Sequence, residues 1–343
     1  MSRVETIGDA TLYMGDCMDV MRGMANNSVD AIVTDPPYFK VKDEEWDNQW
    51  DTPAEFLAWV GQLCEQFERI LKPNGSLYFF ASPQMAARVE VEIGRRFNPL
   101  CSIVWRKGAP LRSTVGWLQK TEKEALRTWL FETERIIFAE HYGADNIAKG
   151  EAGYEAKCDE LRGFVFEPLR AYLSDEVRRA GWTPGRLNDA MGFAPRGMAE
   201  TRYFGRSQWQ LPTAPHYEKM RELLGADFLR REYEDLRREY EDLRRPFAVT
   251  ARDQWSDVWE FDPVGAYPGK HPCEKPLPLL CHILNASTRP GAVVFDPFAG
   301  SGSLGHACLD LGRQFVGVER CQNNFVSACQ RIENAYRQSR LFA

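Results

Sequence analysis

Two short apolar runs, far apart in the chain, each end in Asp-Pro. Val29 to Val33 leads into Thr34-Asp35-Pro36-Pro37-Tyr38, and Ala292 to Phe295 leads into Asp296-Pro297-Phe298-Ala299-Gly300-Ser301-Gly302-Ser303. Runs of this length and character read as buried strands. Proline cannot continue a sheet ladder, so each strand stops and the chain turns. Two carboxylates are thereby presented at strand carboxyl ends, where open α/β sheets hold ligands. The two tips are expected to converge on one cleft.

The rest of the chain supplies the elements such a sheet needs. Leu12 to Met14 reads as a strand core, with Asp16 able to cap a helix from Met18 to Arg22. Thr52-Pro53 opens a helix to about Leu71 whose apolar positions fall on one side, and Pro73-Asn74-Gly75 stops it. Ser76 to Ala81, Leu100 to Trp105 and Glu134 to Ala139 read as strands, with a helix at Pro83 to Arg96. After residue 262 come a helix at Leu277 to Ser287, a helix at Ser303 to Leu311, a strand at Gln314 to Val318 ending in Glu319, and a helix at Gln322 to Arg337. Strands alternating with helices at this spacing predict an α/β fold with a doubly wound, mostly parallel sheet.

Residues 142 to 262 break the alternation. They are rich in Arg, Gly and aromatics and are expected to form an inserted helical domain between two halves of one sheet domain, 1–141 and 263–343. Expected helices at Glu167–Ala180, Thr183–Met191 and Pro195–Tyr203 are compatible with a helix-turn-helix reader. The seven letters from Arg231 to Arg237 repeat at Arg238 to Arg244. Leu229, Tyr233, Leu236, Tyr240 and Leu243 then fall at coiled-coil spacing, which fits a solvated helix lying on its own domain or a homodimer contact. Glu234–Arg238 and Glu241–Arg245 are expected i,i+4 pairs.

Composition narrows the function classes. A net charge of -6 over 343 residues argues against indiscriminate coating of nucleic acid, yet Arg106–Arg127 and Arg162–His216 are locally basic. No apolar run approaches a membrane span and no signal pattern opens the chain, so a cytoplasmic location is expected. Nine cysteines with no CxxC spacing point to reduced, mostly buried thiols, with no metal site expected.

Asp296 to Glu319 has the logic of a nucleoside-binding βαβ unit: a strand tip, a loop with Gly300 and Gly302, a helix, and a second strand ending in a carboxylate. The glycines admit close backbone approach, and the carboxylate can accept both ribose hydroxyls. A full GxGxxG and a P-loop lysine are both missing, which favours a smaller adenosine compound over a dinucleotide or ATP.

Together these stretches resemble one family. Phe298-Ala299-Gly300-Ser301-Gly302 is similar to the FxGxG signature of S-adenosylmethionine binding in amino-group DNA methyltransferases, and Asp35-Pro36-Pro37-Tyr38 resembles their catalytic DPPY. His271-Pro272-Cys273-Glu274-Lys275-Pro276 resembles the segment preceding the FxGxG strand. The order, catalytic motif first and cofactor motif last, is that of the circularly permuted β class. The resemblance implies a Rossmann-like sheet, an inserted target-recognition domain and methylation of adenine N6 in double-stranded DNA, with cytosine N4 the alternative. RNA or protein glutamine is a more distant substrate class, and a non-catalytic DNA-binding module is the reading from another class.

By the same resemblance, the Asp35 carboxylate and the Pro36 carbonyl accept the amine N–H bonds. Pro37 shapes the turn, and Tyr38 stacks on a flipped base. It places Glu319, with Arg320, at the cofactor ribose, and Asp16, with Cys17, near its adenine. Asp296, Lys275 and the loop Phe298, Ala299, Gly300, Ser301, Gly302 and Ser303 lie along the methionine part. Arg112, Arg196, Arg202, Arg206, Ser207 and Gln208 are the candidate DNA contacts. A cognate restriction endonuclease is a possible partner.

Overall fold

The computed structural model describes residues 3–41, 47–107, 127, 129, 131–142, 165–195, 197–206, 209–250, 253–268 and 270–341. They fall into two compact units, Met1–Glu140 with Pro246–Ala343, and His141–Arg245.

Among the described residues of the first unit, nine strands form one sheet in the order β1-β2-β9-β8-β3-β4-β6-β5-β7. The strands are β1 Val4–Ile7, β2 Ala10–Met14, β3 Val29–Thr34, β4 Leu71–Ala81, β5 Phe97–Arg106, β6 Thr133–His141, β7 Val258–Glu260, β8 Val293–Asp296 and β9 Gln314–Glu319. The run β2-β9-β8-β3-β4 is parallel throughout. β1 returns antiparallel on β2, and β6 runs antiparallel to β4.

Alternation along the strands sends side chains to both faces. Ile32, Phe79 and Phe295 join a core with Phe56, Val60, Leu63 and Phe67 of α2 (Pro53–Ile70). That core also takes Met21 of α1 (Cys17–Gly23) and Val89 and Ile93 of α3 (Ala86–Ile93). Their neighbours Val33, Tyr78 and Val294 face the other way. There they meet α8 (Leu277–Ser287), α9 (Ser303–Asp310) and α10 (Gln322–Leu341) through Leu279, Ile283, Leu304, Ala307, Phe325 and Ile332. Helices on both faces of a largely parallel sheet make the expected doubly wound fold.

Several local signals behave as the sequence predicts. Thr52 accepts from the Glu55 amide at 3.2 Å, with Pro53 in the first turn of α2. Asp16 accepts from the Met18 amide at 2.8 Å and caps α1. Pro73-Asn74-Gly75 does not separate helix from strand, because β4 already begins at Leu71. Residues 246–262, expected in the insert, belong to the sheet unit: Val258–Glu260 pairs in parallel with Val104–Arg106.

The second unit has its own core. It holds α4 (Glu167–Arg179), α5 (Pro184–Ala190), α6 (Ala214–Leu224) and α7 (Tyr233–Leu243), gathered around Leu173, Leu187, Tyr203, Trp209, Tyr217 and Leu236. Where a third helix was expected over Pro195–Tyr203, the described residues show a single π-helical turn at Ala199–Tyr203. The repeat forms α7, but its seam faces inward. Leu229 and Leu236 are buried, and the Tyr240 ring packs 5.1 Å from that of Phe166. Among the described residues, i,i+3 pairs run along this helix, Arg238–Asp235 at 3.2 Å and Arg244–Glu241 at 3.2 Å.

Candidate active site

The register brings the two Asp-Pro tips side by side. β3 and β8 are direct parallel neighbours, with Ala31 opposite Val294 and Ile32 opposite Phe295, so Asp35 and Asp296 emerge at the same end of the sheet. β9 and β2 end there too, because Asp296 lies opposite Gly317 and Met14 opposite Glu319. Above these ends is a cavity of about 630 Å³. Asp16, Cys17, Asp35 to Tyr38, Lys275, Asp296, Phe298 to Ser301, Ser303, Glu319 and Arg320 all line it, while Gly302 is closed against Ala328 and does not. Every candidate catalytic and cofactor residue but Gly302 therefore reaches one space.

At the β8 tip the backbone is shaped for close approach. Gly300 and Gly302 have φ of +50° and +73°, which side chains rarely adopt. A Cβ on Gly302 would stand 2.9 Å from the Ala328 Cα, so this glycine also lets α9 pack on α10. The Phe298 amide donates to Asp296 Oδ1 at 3.0 Å, and the Gly300 amide donates to Glu319 Oε2 at 2.9 Å. Glu319 Oε1 accepts from the Cys321 amide at 2.6 Å. Burial raises the Glu319 carboxyl above its ordinary range, against the backbone amides that favour its charge. Burial pushes Asp296 further, to about 7, helped by the carboxylates of Asp35 and Glu319. Two carboxyls aimed into a glycine-lined hollow, one of them poised near neutrality, fit a ligand with hydroxyls at one end and a cation at the other.

Cys17 is buried, and burial pushes its thiol up to about 12, so it lines the cavity as a neutral group. Arg320 is exposed and reaches Gln49 at 3.4 Å. The ring of Phe298 packs 5.6 Å from that of Trp59, which continues to Trp50 at 4.6 Å.

The β3 tip carries a buried charge cluster that sequence reasoning missed. Asp35 Oδ2 accepts from the Lys275 ammonium, and Oδ1 accepts from the Tyr38 hydroxyl at 2.8 Å. Glu134 stands behind them, with Oε2 at 3.4 Å from Lys275 and 3.2 Å from the Tyr38 hydroxyl. Its Oε1 accepts from Lys107. Lys275, expected along the methionine part of the cofactor, has its ammonium on Asp35 and Glu134. Its side chain is 9 % exposed, that of Glu134 13 % and that of Asp35 18 %. Burial alone would lower the Lys275 pKa, but the two carboxylates reverse this and hold the ammonium charged. Glu134 is held below its ordinary value, because Lys275 and Lys107 outweigh its burial. For Asp35 burial is the largest influence and pushes it up, with Lys275 opposing. Burial, then Asp35 and Glu134, raise the Tyr38 phenol well above its ordinary value.

Topology explains why Glu134 is there. β6 is antiparallel to β4, with Arg135 opposite Ala81, so its first residues arrive where the parallel strands end. In the sequence, Glu134 is only a charge at the start of an apolar run, and nothing local marks it.

The candidate DNA contacts gain less. Arg202 and Arg206 are exposed on the second unit. Arg112, Arg196, Ser207 and Gln208 lie outside the described residues. No cluster of metal-ligating side chains occurs among the described residues, and no described helix is long and apolar enough to cross a membrane.

Comparison with known proteins gives a consistent result. The N6/N4 family model described as DNA methylase matches residues 29–328. Type II methyltransferase M2.MboI of Moraxella bovis is 22% identical over 327 residues, covering 90% of this chain and 82% of its own. DNA adenine methyltransferase YhdJ of Escherichia coli (strain K12) is 23% identical over 314 residues, covering 90% and 78%. Among solved structures, the M1.HpyAVI-SAM complex aligns with a TM-score of 0.50 at 17% identity over 94% of this chain and 98% of that one. The cytosine-N4-specific PvuII DNA methyltransferase aligns with a TM-score of 0.52 at 12% identity over 97% and 93%. At these identities the structural likeness speaks to the fold.

Proposed function

Since this chain belongs to the N6/N4 DNA methylase family, we propose that it methylates the exocyclic N6 amine of adenine in double-stranded DNA at a specific site. The observation that carries this is the pairing of the Asp35 and Asp296 tips on adjacent strands over one cavity. S-adenosylmethionine is the cofactor, and when bound it supplies an electrophilic methyl group. Glu319 is suited to its ribose hydroxyls, Asp296 to its ammonium, and the Phe298–Ser303 loop to its backbone-lined length. Asp16 already caps α1, so any part it takes in holding the adenine is shared with that role.

An exocyclic amine is a weak nucleophile because its lone pair is delocalised into the ring. Asp35 and the Pro36 carbonyl accept its two N–H bonds, which localises the lone pair on nitrogen. Acceptors fixed where positive charge develops need no reorganisation during the reaction. Asp35 then takes the proton that the alkylated nitrogen must lose. Tyr38 offers its ring to the base, which has to leave the duplex for its amine to reach the cavity. Trp105 and Phe80 complete an aromatic wall beside it. The choice of adenine is supported by aspartate at the head of the Pro-Pro-Tyr turn and by the activity named for the Escherichia coli relative.

The test is to incubate the protein with S-adenosylmethionine and unmodified plasmid DNA, digest to nucleosides and identify the product by mass spectrometry. N6-methyladenine is expected, and Asp35→Ala should abolish it while leaving DNA binding intact. N4-methylcytosine would move the target to cytosine, and no methylated nucleoside at all would refute the enzymatic reading.

A further inference from the structure

Both oxygens of Asp35 are engaged within the protein: Oδ1 by the Tyr38 hydroxyl at 2.8 Å and Oδ2 by the Lys275 ammonium. An incoming amine needs one of these oxygens. The donor that gives way is buried in an aromatic surround, since Lys275 Nζ lies 5.0 Å from the Phe80 ring centroid and 6.0 Å from that of Trp105. A buried hydroxyl or ammonium left without an acceptor is costly, so the exchange needs a second acceptor within reach. Glu134 Oε2 is within reach of both donors, 3.2 Å from the hydroxyl and 3.4 Å from the ammonium. Lys107 holds its other oxygen, which fixes how the carboxylate faces the cavity.

We propose that Glu134 is a positioning residue of the transfer: it receives the Tyr38 hydroxyl and draws the Lys275 ammonium when a substrate amine claims an Asp35 oxygen, and it returns them when product leaves. This rests on Asp35 being the amine acceptor. Asp35 is thus kept hydrogen-bonded at rest and released on demand. The Lys275 charge stays balanced throughout, because two carboxylates share it. Glu134 itself need not touch the base or the methyl donor.

The experiment compares wild type, Glu134→Gln, Glu134→Asp, Tyr38→Phe and the Tyr38→Phe/Glu134→Gln double variant in single-turnover methylation of DNA across pH. Glutamine keeps the size of Glu134 but loses the charge and one acceptor oxygen. Its single-turnover rate is expected to fall by about 10- to 100-fold, the scale of a misplaced reacting group. KM for DNA and the cofactor Kd should stay within about twofold of wild type.

The acid limb of the rate should also move to lower pH, because Asp35 loses a neighbouring negative charge and keeps Lys275 to itself. Glu134→Asp restores the charge and should return the limb to its wild-type position. In the Tyr38→Phe background there is no hydroxyl to receive, so Glu134→Gln should cost less than it does alone.

An unchanged rate, a fallen rate with an unmoved acid limb, or equal costs in both backgrounds would each overturn the proposal. Should Glu134→Gln fail to fold, Glu134→Asp decides alone, since a carboxylate one methylene short must slow the reaction without moving the limb, and a wild-type rate refutes the role. A wild type that methylates no DNA removes the underlying reading instead, so the two failures are distinct.

Discussion

Asp296 makes folding stability depend on pH in a direction opposite to that of a typical surface carboxylate. Burial, with the carboxylates of Asp35 and Glu319, raises it from 3.8 to about 7, and its exposure is only 6 %, so solvent screens little of this. Between those two values the folded protein holds a proton that the unfolded chain has released. Stability from this group is therefore greatest below pH 3.8 and is lost as pH rises through about 7. Raising a carboxyl from 3.8 to about 7 corresponds to roughly 4 kcal/mol.

Asp296→Asn keeps an oxygen for the Phe298 amide and cannot ionise, so it removes the penalty. Urea unfolding of wild type and variant, followed in parallel, should give a stability gap in favour of the variant. That gap should widen by roughly 3 kcal/mol between pH 5 and pH 8. Groups remote from Asp296 are common to both proteins and cancel, while Asp35 and Glu319, which feel its charge, contribute to the same gap. A gap that stays constant across this range would show that Asp296 is not a raised carboxyl in the folded state, and the electrostatic account of the β8 tip would fail with it. The same proton gives a binding signature. A cationic ligand group at Asp296 favours the carboxylate, so S-adenosylmethionine should release close to half a proton near pH 7. Calorimetry in two buffers of different ionisation enthalpy would detect this, and Asp296→Asn should lose it.

Other substitutions test the remaining parts. Gly302→Ala puts a Cβ at φ +73° against the Ala328 backbone. It should cost about 1–3 kcal/mol in a denaturant melt and weaken cofactor binding. Lys275→Met leaves Asp35 and Glu134 buried without their shared cation, so a loss of about 3–5 kcal/mol in stability is expected together with loss of methylation. If Arg202 and Arg206 contact phosphates, changing each to Ala should reduce the slope of log affinity against log salt by about one, with little change in site preference.

The parts legible in sequence are those encoded by local chemistry. Asp16 and Thr52 announce their helices through oxygens that the next turn needs, and the double proline after Asp35 can only end a strand. The adjacency of β3 and β8 followed from a pair of matching tips. Strand direction was not readable, because a period of two is the same either way, so the strand at Glu134 to Ala139 was expected but its antiparallel course, which brings Glu134 to the site, was missed. Three residues at Val258–Glu260 carry too little pattern to show as a strand. The 4-3 spacing of the repeat marks any helix with one buried face, so it could not tell a partner from the unit's own core. Lys275 lines the cavity, but its links to Asp35 and Glu134 could not be read from the sequence, since that pairing depends on three segments meeting in space.

The parallel pairing of β3 with β8 also sets a clock on biosynthesis. Ala31 must wait for Val294, about 260 residues later, before the middle of the sheet can close, and at about 5–20 residues per second that is a delay of tens of seconds. Holding the ends of such a span together costs about 5 kcal/mol of chain entropy, recovered only when the late strands dock. A growing chain that already displays Asp35 and Tyr38 is therefore chemically inert, and the protein can begin to mark a genome only once the last-made strands are in place.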